Sequence, residues 1–506
     1  MAPPSPSPFH YLRTHHHPLS ALHFNSSNTL LYSGDQDGWI SILDLRVRRV
    51  ICYWKAHEGG VLGLEEREGG LISHGRDNVV LFYEPLKRPY TFFSVGASST
   101  SSIKFGIGSN IGTARYRAGP PILRSLPTNA LNFCRFSLLP LTRSVISSNS
   151  AVVDQDEDGD PQGRGSGKGK GKVREALLAV PSLTDSELVD IYHLPSLKRI
   201  HAAINYVPNI QAPVRDSVVP ESGRSGLIMS LHLRNHPSTS SIALAIGYED
   251  GRVELYRSSL DDLSALHAYD ARVSSGPNPW QMIWKGKGHN EAVMGMDVDQ
   301  QTRYGWSVSA DHRLVRYDFG KALEETGKLN DNDESVMRHK SLKQIGNSCV
   351  TVRLDGKVVA VGGWDGKIRL FSAQSCKPLG TLSSHRETVH VVTFANPSSA
   401  TMPTDKPRAR GEEANEIKTE AETETETETE IASTLDLADQ DTDEESSDDN
   451  DEDDDAGGKG GGGVPRERWF ASGGKDTKVA LWGLMDFGGG ATVDSSGTRQ
   501  SNSQAC

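Results

Sequence analysis

The stretch SGGKDTKVALW, Ser472 to Trp482, decides how the chain is read. It holds the end of one strand, a tight turn around Asp476, and a second strand with apolar residues on a period of two. Five other stretches repeat the plan. Asp37, Asp77, Asp250, Asp311 and Asp365 are each followed, like Asp476, by an aliphatic third residue: Ile40, Val80, Val253, Leu314, Ile368 and Val479. In five of the six the sixth residue is aromatic (Tyr83, Tyr256, Tyr317, Phe371, Trp482), with Leu43 the exception. Aromatics are 7% of the chain, so this spacing is far above chance. An aspartate accepting backbone N–H groups in a turn, then a strand with one buried face, accounts for these residue types.

A matching strand precedes each turn and ends near Ser33-Gly34, Ser73, Ser307, Gly362-Gly363 or Ser472-Gly473. Two further units, about 131–204 and 226–260, bring the count to seven, although Ser186 stands where the turn aspartate of the first of these belongs. Helical signals are weak throughout. The expectation is an all-β chain of many short strands, in which each unit buries its apolar face only against its neighbours.

These residues resemble WD-repeat β-propellers, whose blades carry a His near the start, a Ser or Thr in the second strand, an Asp in the turn and a Trp in the third strand. The set His385, Ser472, Asp476, Trp482 matches in full; His289, Ser307, Asp311, Tyr317 and His57, Ser73, Asp77, Tyr83 match with Tyr for Trp. A buried His needs both ring nitrogens satisfied, so the resemblance implies a structural relay in each set. No Trp-Asp dipeptide stands at the end of a third strand. The likeness implies a seven-bladed propeller closed by an N-terminal strand, for which Phe9 to Thr14 is the candidate.

A narrower resemblance rests on HPLSALHF (His17–Phe24), LYSGDQDGWI, WKAHEGGVLGL, SHGRDN (Ser73–Asn78), PTNALNFC, GYEDGRVELY and GGWDGKIRLF. Together these look like the ASTRA-associated protein 1 family and are also similar to guanine-nucleotide-binding-protein β-subunit-like proteins. The likeness covers about 9–136, 174–395 and 467–485. It implies a non-catalytic scaffold subunit of the ASTRA assembly, with phosphatidylinositol-3-kinase-like kinases, their co-chaperones and RuvB-like ATPases as partners. It further implies a chromatin-remodelling role in the nucleus, with no cofactor.

Charge is unevenly spread over the 506 residues. The formal net charge is −12, yet Glu412 to Asp455 alone holds 22 acids and one base, Lys418. The rest carries 53 bases against 44 acids, a net of +9. The expected organisation is a disordered 1–8, a propeller over 9–485 and a disordered tail over 486–506. Disordered charged insertions are expected at about 145–173 and 397–466, with a looser loop at about 86–120, because such compositions bury too little apolar surface to offset chain entropy. Both insertions fall between the first and second strands of a blade (Asn132–Phe136 to Ala176–Val180, and Val389–Phe394 to Arg468–Ala471), so both arms are expected to leave from one face.

No apolar run reaches 18 residues and no heptads persist, which excludes a membrane bundle or a coiled coil. The N-terminus lacks the basic and apolar regions of a secretory signal. Five scattered cysteines (Cys52, Cys134, Cys349, Cys376, Cys506) without C-x-x-C suit a reducing compartment. Lys168 to Arg174 and Lys406 to Arg410 read either as nuclear signals or as solubilising linkers.

Candidate chemistry is sparse. Gly163 to Lys172 lacks the glycines and the Ser/Thr of a phosphate loop, and Gly106-Ile107-Gly108 has Ile111 where a dinucleotide fingerprint needs its third Gly. His15-His16-His17 would point to different sides of an extended segment, so one packing His is expected there and no metal. No nucleophile elbow or metalloprotease helix occurs. Trp39, Arg76, Tyr248 and Trp364 beside the turn aspartates read either as partner-binding residues on a rim or as packing between blades. The acidic segment reads as a solvated linker or, alternatively, as a binder of histones, with Ser446 and Ser447 in a context that suits acidophilic kinases. No membrane partner and no sequence-specific nucleic-acid binding are expected.

Overall fold

Short runs rich in Val, Ile and Leu fold as strands, most of them six or seven residues long, in a computed structural model of the chain. The structure describes residues 6–87, 119–129, 131, 133–141, 174–206, 226–236, 241–259, 268–324, 333–343, 346–397 and 464–485. The strands form seven sheets arranged as a seven-bladed β-propeller. Blade 1 is β2 (Leu19–Phe24), β3 (Leu30–Asp35), β4 (Trp39–Asp44) and β5 (Arg49–Lys55). Blade 2 is β6 (Val61–Arg67), β7 (Gly70–Gly75), β8 (Val79–Tyr83) and β9 (Ile122–Pro127). Blade 3 is β10 (Ser137–Pro140), β11 (Ala176–Pro181), β12 (Val189–Leu194) and β13 (Lys198–Ile204), with β17 (Tyr269–Asp270) added in parallel. Blade 4 is β14 (Ile228–His236), β15 (Ser241–Tyr248), β16 (Arg252–Ser259) and β18 (Gln281–Lys287).

Blade 5 is β19 (Val293–Val298), β20 (Tyr304–Ser309), β21 (Arg313–Asp318) and β22 (Met337–Ser341). Blade 6 is β23 (Asn347–Val352), β24 (Val358–Gly363), β25 (Lys367–Ser372) and β26 (Pro378–Ser383). Blade 7 is β27 (Val389–Phe394), β28 (Trp469–Gly474) and β29 (Val479–Gly483), completed by β1 (His10–Leu12), which pairs with β29 in the register Tyr11 to Ala480. Closure therefore joins the first and last parts of the propeller and removes an open sheet edge. Phe9 packs on Trp469 with ring centroids 4.8 Å apart and extends that seam.

The first strands lie side by side around the axis, and six of the seven carry the same irregularity. A bulge follows the first residue of β2, β6, β14, β19, β23 and β27. Such a bulge re-aims a side chain. In blade 1 the bulged Ser20 donates to Val61 O of blade 2 at 2.6 Å, and in blade 6 Ser348 donates to Val389 O of blade 7. His390 of blade 7 lies 3.2 Å from Leu19 O of blade 1. Between these polar ties the blades meet through apolar clusters, such as Leu19 and Leu22 against Ala471 and Leu481.

Several expectations need correction. The first strand of blade 3 is Ser137–Pro140, not Asn132–Phe136, because Phe133 adopts φ 50° and breaks the extended chain before the strand begins. The 397–466 insertion ends sooner than expected: Trp469 Nε1 donates to Val464 O at 3.2 Å, which ties the chain to blade 7 from Val464 onward. The unit placed at 226–260 holds only three strands of blade 4, whose outer strand arrives at Gln281. One short helix, α1 (Phe319–Glu324), interrupts the β pattern; Asp318 accepts from Lys321 N at 3.0 Å at its start. In blade 3 the missing turn aspartate at Ser186 is replaced by Asp185, which accepts from Glu187 N at 2.9 Å. The segments 145–173 and 486–506, most of 86–120, and Ser446, Ser447, Gly106 to Gly108, Gly163 to Lys172 and the acidic run all lie outside the described residues.

Candidate interaction surface

Four blades place a histidine between a carboxylate and a serine, and in three of them the carboxylate belongs to the turn. His57 Nδ1 lies 3.0 Å from Asp77 and its Nε2 2.7 Å from Ser73. His289 lies 3.0 Å from Asp311 and 2.6 Å from Ser307, whose hydroxyl is 2.7 Å from that of Tyr317. His385 lies 2.9 Å from Asp476 and 2.8 Å from Ser472, which accepts from Trp482 Nε1 at 3.0 Å. In blade 2 the longer Ser73 to Tyr83 separation of 3.4 Å leaves the chain looser.

Burial pushes the His57 imidazole below its ordinary range, although the Asp77 charge and hydrogen bond pull the other way. A neutral ring that donates from Nδ1 and accepts at Nε2 fits both partners. Burial raises the Asp311 and Asp476 carboxyls, but the hydrogen bonds and charges of His289 and His385 outweigh it and hold both below the usual range. Each set fixes the entry to a blade and the following turn as one unit. Nothing in this geometry presents a nucleophile to a solvent-filled cleft.

The fourth relay was not among the sequence candidates. His15, the first of the three adjacent histidines, lies 2.8 Å from Asp35 and 2.8 Å from Ser33. Its carboxylate is two residues upstream of Asp37, the aspartate aligned with the other turns. Asp37 instead meets Lys55 at 2.9 Å near the surface. His16 and His17 are exposed. Among the described residues no cluster of His, Cys, Asp or Glu is set up to hold a metal.

The polar lining of the central channel is a further feature that sequence spacing did not reveal. At one level of the first strands, His23 accepts from Glu66 N at 3.2 Å, and His232 Nε2 donates to Met296 O at 2.7 Å. Asp297 accepts from Thr351 Oγ1 at 3.0 Å and from Val352 N at 2.9 Å, while Ser137 accepts from Leu233 N at 2.9 Å. Each bond crosses from one blade to the next, so the channel wall is cross-linked by side chains. Burial pushes His232 down to about 3 and, with Arg135 adding to the effect, His23 down to about 4. Burial raises the Glu65 carboxyl against the opposing charges of Arg135 and Arg234.

The four expected rim residues separate. Trp364 is 41% exposed and lies over Gly346, where a Cβ would come within 2.2 Å of the indole. Arg76 is exposed and stacks its guanidinium 4.0 Å from the Phe133 ring centre. Trp39 is half-buried, stacked on Tyr53 at 4.9 Å, and its indole donates to Asp37 at 3.2 Å. Tyr248 is not a rim residue: it is 0% exposed in the seam between blades 3 and 4, and its hydroxyl accepts from Asn205 at 2.8 Å. Strand β15 is covered on both faces, so its last residue is packed inside.

Sequence reasoning also missed Leu131 and Phe133, which are 68% and 58% exposed on the loop entering blade 3. An apolar run ahead of a strand reads as core, and no signal in a single sequence marks it as surface.

A family model described as "WD domain, G-beta repeat" matches residues 7–44 and 339–372, which span β1–β4 and the end of β22 through β25. The chain is 28% identical over 494 residues to "ASTRA-associated protein 1" of Penicillium rubens, covering 94% of this chain and 97% of that protein. It is 25% identical over 396 residues to the protein of the same name in Schizosaccharomyces pombe, covering 77% and 93%. It is also 28% identical over 402 residues to mouse "Guanine nucleotide-binding protein subunit beta-like protein 1", covering 78% and 91%.

Proposed function

We propose, from the premise that this chain is a WD-repeat propeller related along most of its length to the ASTRA-associated protein 1 chains of fungi, that it is the WD-repeat scaffold subunit of an ASTRA-type assembly. The observation that carries this reading is the extent of the likeness, 94% of the chain and 97% of the Penicillium protein, across a fold built to present loops. In this reading the subunits contacted are phosphatidylinositol-3-kinase-like kinases, their co-chaperones and RuvB-like ATPases, and the work is done in the nucleus during chromatin remodelling. The protein acts by docking partners rather than by turnover, which suits relays directed inward on structural bonds. Affinity purification of the full chain from its native cells, with crosslinking mass spectrometry, tests the proposal. Recovery of kinase, co-chaperone and RuvB-like subunits crosslinked to the propeller is expected; a preparation that brings down none of them rejects it.

A second reading is favoured by one observation, the 22 acids between Glu412 and Asp455, which suit histones as partners. Deleting 412–455 distinguishes the two. Loss of histone association with the other subunits retained would support an added histone role, and unchanged capture of everything would remove it.

A further inference from the structure

Arg353 and Arg316 are the two buried arginines among the described residues, each 7% exposed, and their charges are met differently. Arg353 gives its Nε and Nη2 to the two carboxylate oxygens of Asp355, at 2.9 and 2.6 Å. Arg316, on β21 of blade 5, has no carboxylate at ion-pair distance among the described residues. Its Nη1 donates to Gln374 O, in the hairpin between β25 and β26 of blade 6, and its guanidinium stacks 4.7 Å from the Tyr304 ring centre. Its Nε is sealed from solvent with no acceptor. The two-pronged edge that Arg353 offers to a carboxylate is therefore left empty at Arg316. In the β20 to β21 register Trp306 stands opposite Arg316, and its indole N–H is a second buried donor without an acceptor. A buried charge and a buried donor each destabilise a fold when left unpaired, so the fold alone gives no reason for a cation here.

The surroundings add positive charge. On β22, Arg338 lies directly opposite Arg316, and Lys340 lies opposite Leu314 on the same face. Like charges set opposite each other weaken a strand pair. Arg338 and Lys340 are exposed, and neither has a carboxylate partner among the described residues. Burial raises the Cys376 thiol in the same blade 6 hairpin, while the charges of Arg316, Lys340 and Arg338 act on it in the opposite sense; all three cations thus stand on the side that faces blade 6. The groove between blades 5 and 6 gathers three cations, one of them buried, and no described anion balances them.

We propose that this groove binds a phosphate monoester carried by a phosphorylated serine or threonine of a partner protein. Such a group brings about −1.5 to −2 charge and three acceptor oxygens, enough to meet the open edge of Arg316 together with Arg338 and Lys340. A single carboxylate brings one charge and two oxygens and would leave the exposed pair unmatched. A peptide is preferred to a free phosphate as the source because β22 is the last strand of its sheet and leaves an edge along which a peptide can lie. The chain already accepts an added strand in blade 3, where β17 pairs with the outer strand β13. This goes beyond the scaffold reading and does not depend on which assembly the chain joins.

The test uses the full chain and three pools of fluorescein-labelled peptides of about 12 residues, with degenerate flanks around a central phosphoserine, serine or glutamate. Fluorescence anisotropy at about 0.15 M salt should show binding of the phosphoserine pool alone. Affinity should fall about tenfold or more in Arg316→Met, and similarly in Arg338→Glu with Lys340→Glu. Without peptide, Arg316→Met should melt at or above the wild-type temperature, because the unpaired buried charge is gone, whereas an arginine that only braces the fold would melt lower on removal. Should it melt lower, the double reversal, altered only at exposed side chains, decides the matter. Equal binding of the serine or glutamate pool, no binding of the phosphoserine pool, or indifference to both variants overturns the proposal. So does Arg316-dependent binding of inositol hexakisphosphate by a groove that refuses every phosphopeptide, which would assign the site to a free polyphosphate. Each of these outcomes leaves the scaffold reading standing, since that reading is judged by the capture of subunits from native cells.

Discussion

Asp35 Oδ2 lies 2.8 Å from His15 Nδ1, so blade 1 draws its relay carboxylate from the end of its second strand and not from the turn. The same offset from the relay serine is occupied in blade 2 by Gly75. A Cβ there would come within 2.3 Å of the His57 ring and 2.5 Å of the Asp77 carboxylate. A carboxylate can reach the histidine from either position, and in blade 2, where the turn supplies it, there is no room for a side chain at the other.

Asp35 is buried, and besides His15 it accepts from Asp37 N and Trp39 N, each at 3.0 Å. Asp35→Ala should therefore lower stability by about 3 kcal/mol or more, since it strands a buried histidine and two turn donors. Asp37→Ala, at a half-exposed carboxylate facing Lys55, should cost no more than about 1 kcal/mol. Urea titrations of both variants give the comparison, and equal losses would contradict the assignment.

Gly75→Ala should destabilise by about 1–3 kcal/mol, because the added methyl displaces the His57 ring from Asp77. Gly276→Ala, where a Cβ would meet nothing within 4 Å, is the matched control and should be nearly neutral. Thermal melts that fail to separate the two would mean that the relay can shift at no penalty.

Removal of residues 1–12 takes away β1 and the Phe9 contact with Trp469 and exposes the outer edge of β29. A loss of about 2–4 kcal/mol is expected from the lost strand bonds and apolar cover, together with a tendency to associate through the bare edge. Size-exclusion chromatography and melting of the truncated chain check both effects; an unchanged monomer with an unchanged melting point would show that closure adds little.

Burial holds His74 at about 3 and His201 at about 4, and His232 joins them at about 3. His201 Nδ1 accepts from Trp280 Nε1 at 2.7 Å, a bond that a doubly protonated ring cannot make. An unfolded histidine takes up its proton near pH 6.5, well before these do, so the unfolded chain binds more protons between pH 6.5 and 4. Their contribution is complete above pH 6.5 and declines as pH falls, by up to about 1.4 kcal/mol per pH unit for each histidine. Asp299, raised by burial to about 6, acts in the opposite sense between pH 6 and 4 and offsets roughly one of them. Urea midpoints at pH 7.5, 6 and 5 should fall steadily, with a shallower slope in His201→Gln. A flat profile would exclude the linkage.

Cys134 and Cys349 have their thiols pushed up to about 12 by burial, and burial also raises Cys376. Ellman's reagent at pH 8 should leave these three unmodified in the folded protein and modify them on unfolding. Rapid native modification of Cys134 would indicate that the core around it opens readily, contrary to its burial.

The sequence by itself determined most of the strands, the seven repeats and three relays, because period-two alternation and the spacing of Ser, Asp and an aromatic are local properties of one hairpin. His57, Ser73 and Asp77 lie within 20 positions of one another. Even His385 and Asp476, 91 apart, were legible, since the intervening segment enters and leaves at one blade end. Tertiary structure decided the rest. Whether Asp35 or Asp37 reaches His15 depends on the path of a chain entering the blade from outside the repeat. Tyr248 and Phe133 are both aromatic residues beside strand ends, yet one is sealed in the seam between blades 3 and 4 and the other stands in solvent. Burial is fixed by what a neighbouring blade lays over a residue, and that neighbour is remote in sequence. For the same reason the bonds from Ser20, Ser348 and His390 to adjacent blades, and the Arg76 guanidinium stacked on Phe133, became visible only once the seven blades were set side by side.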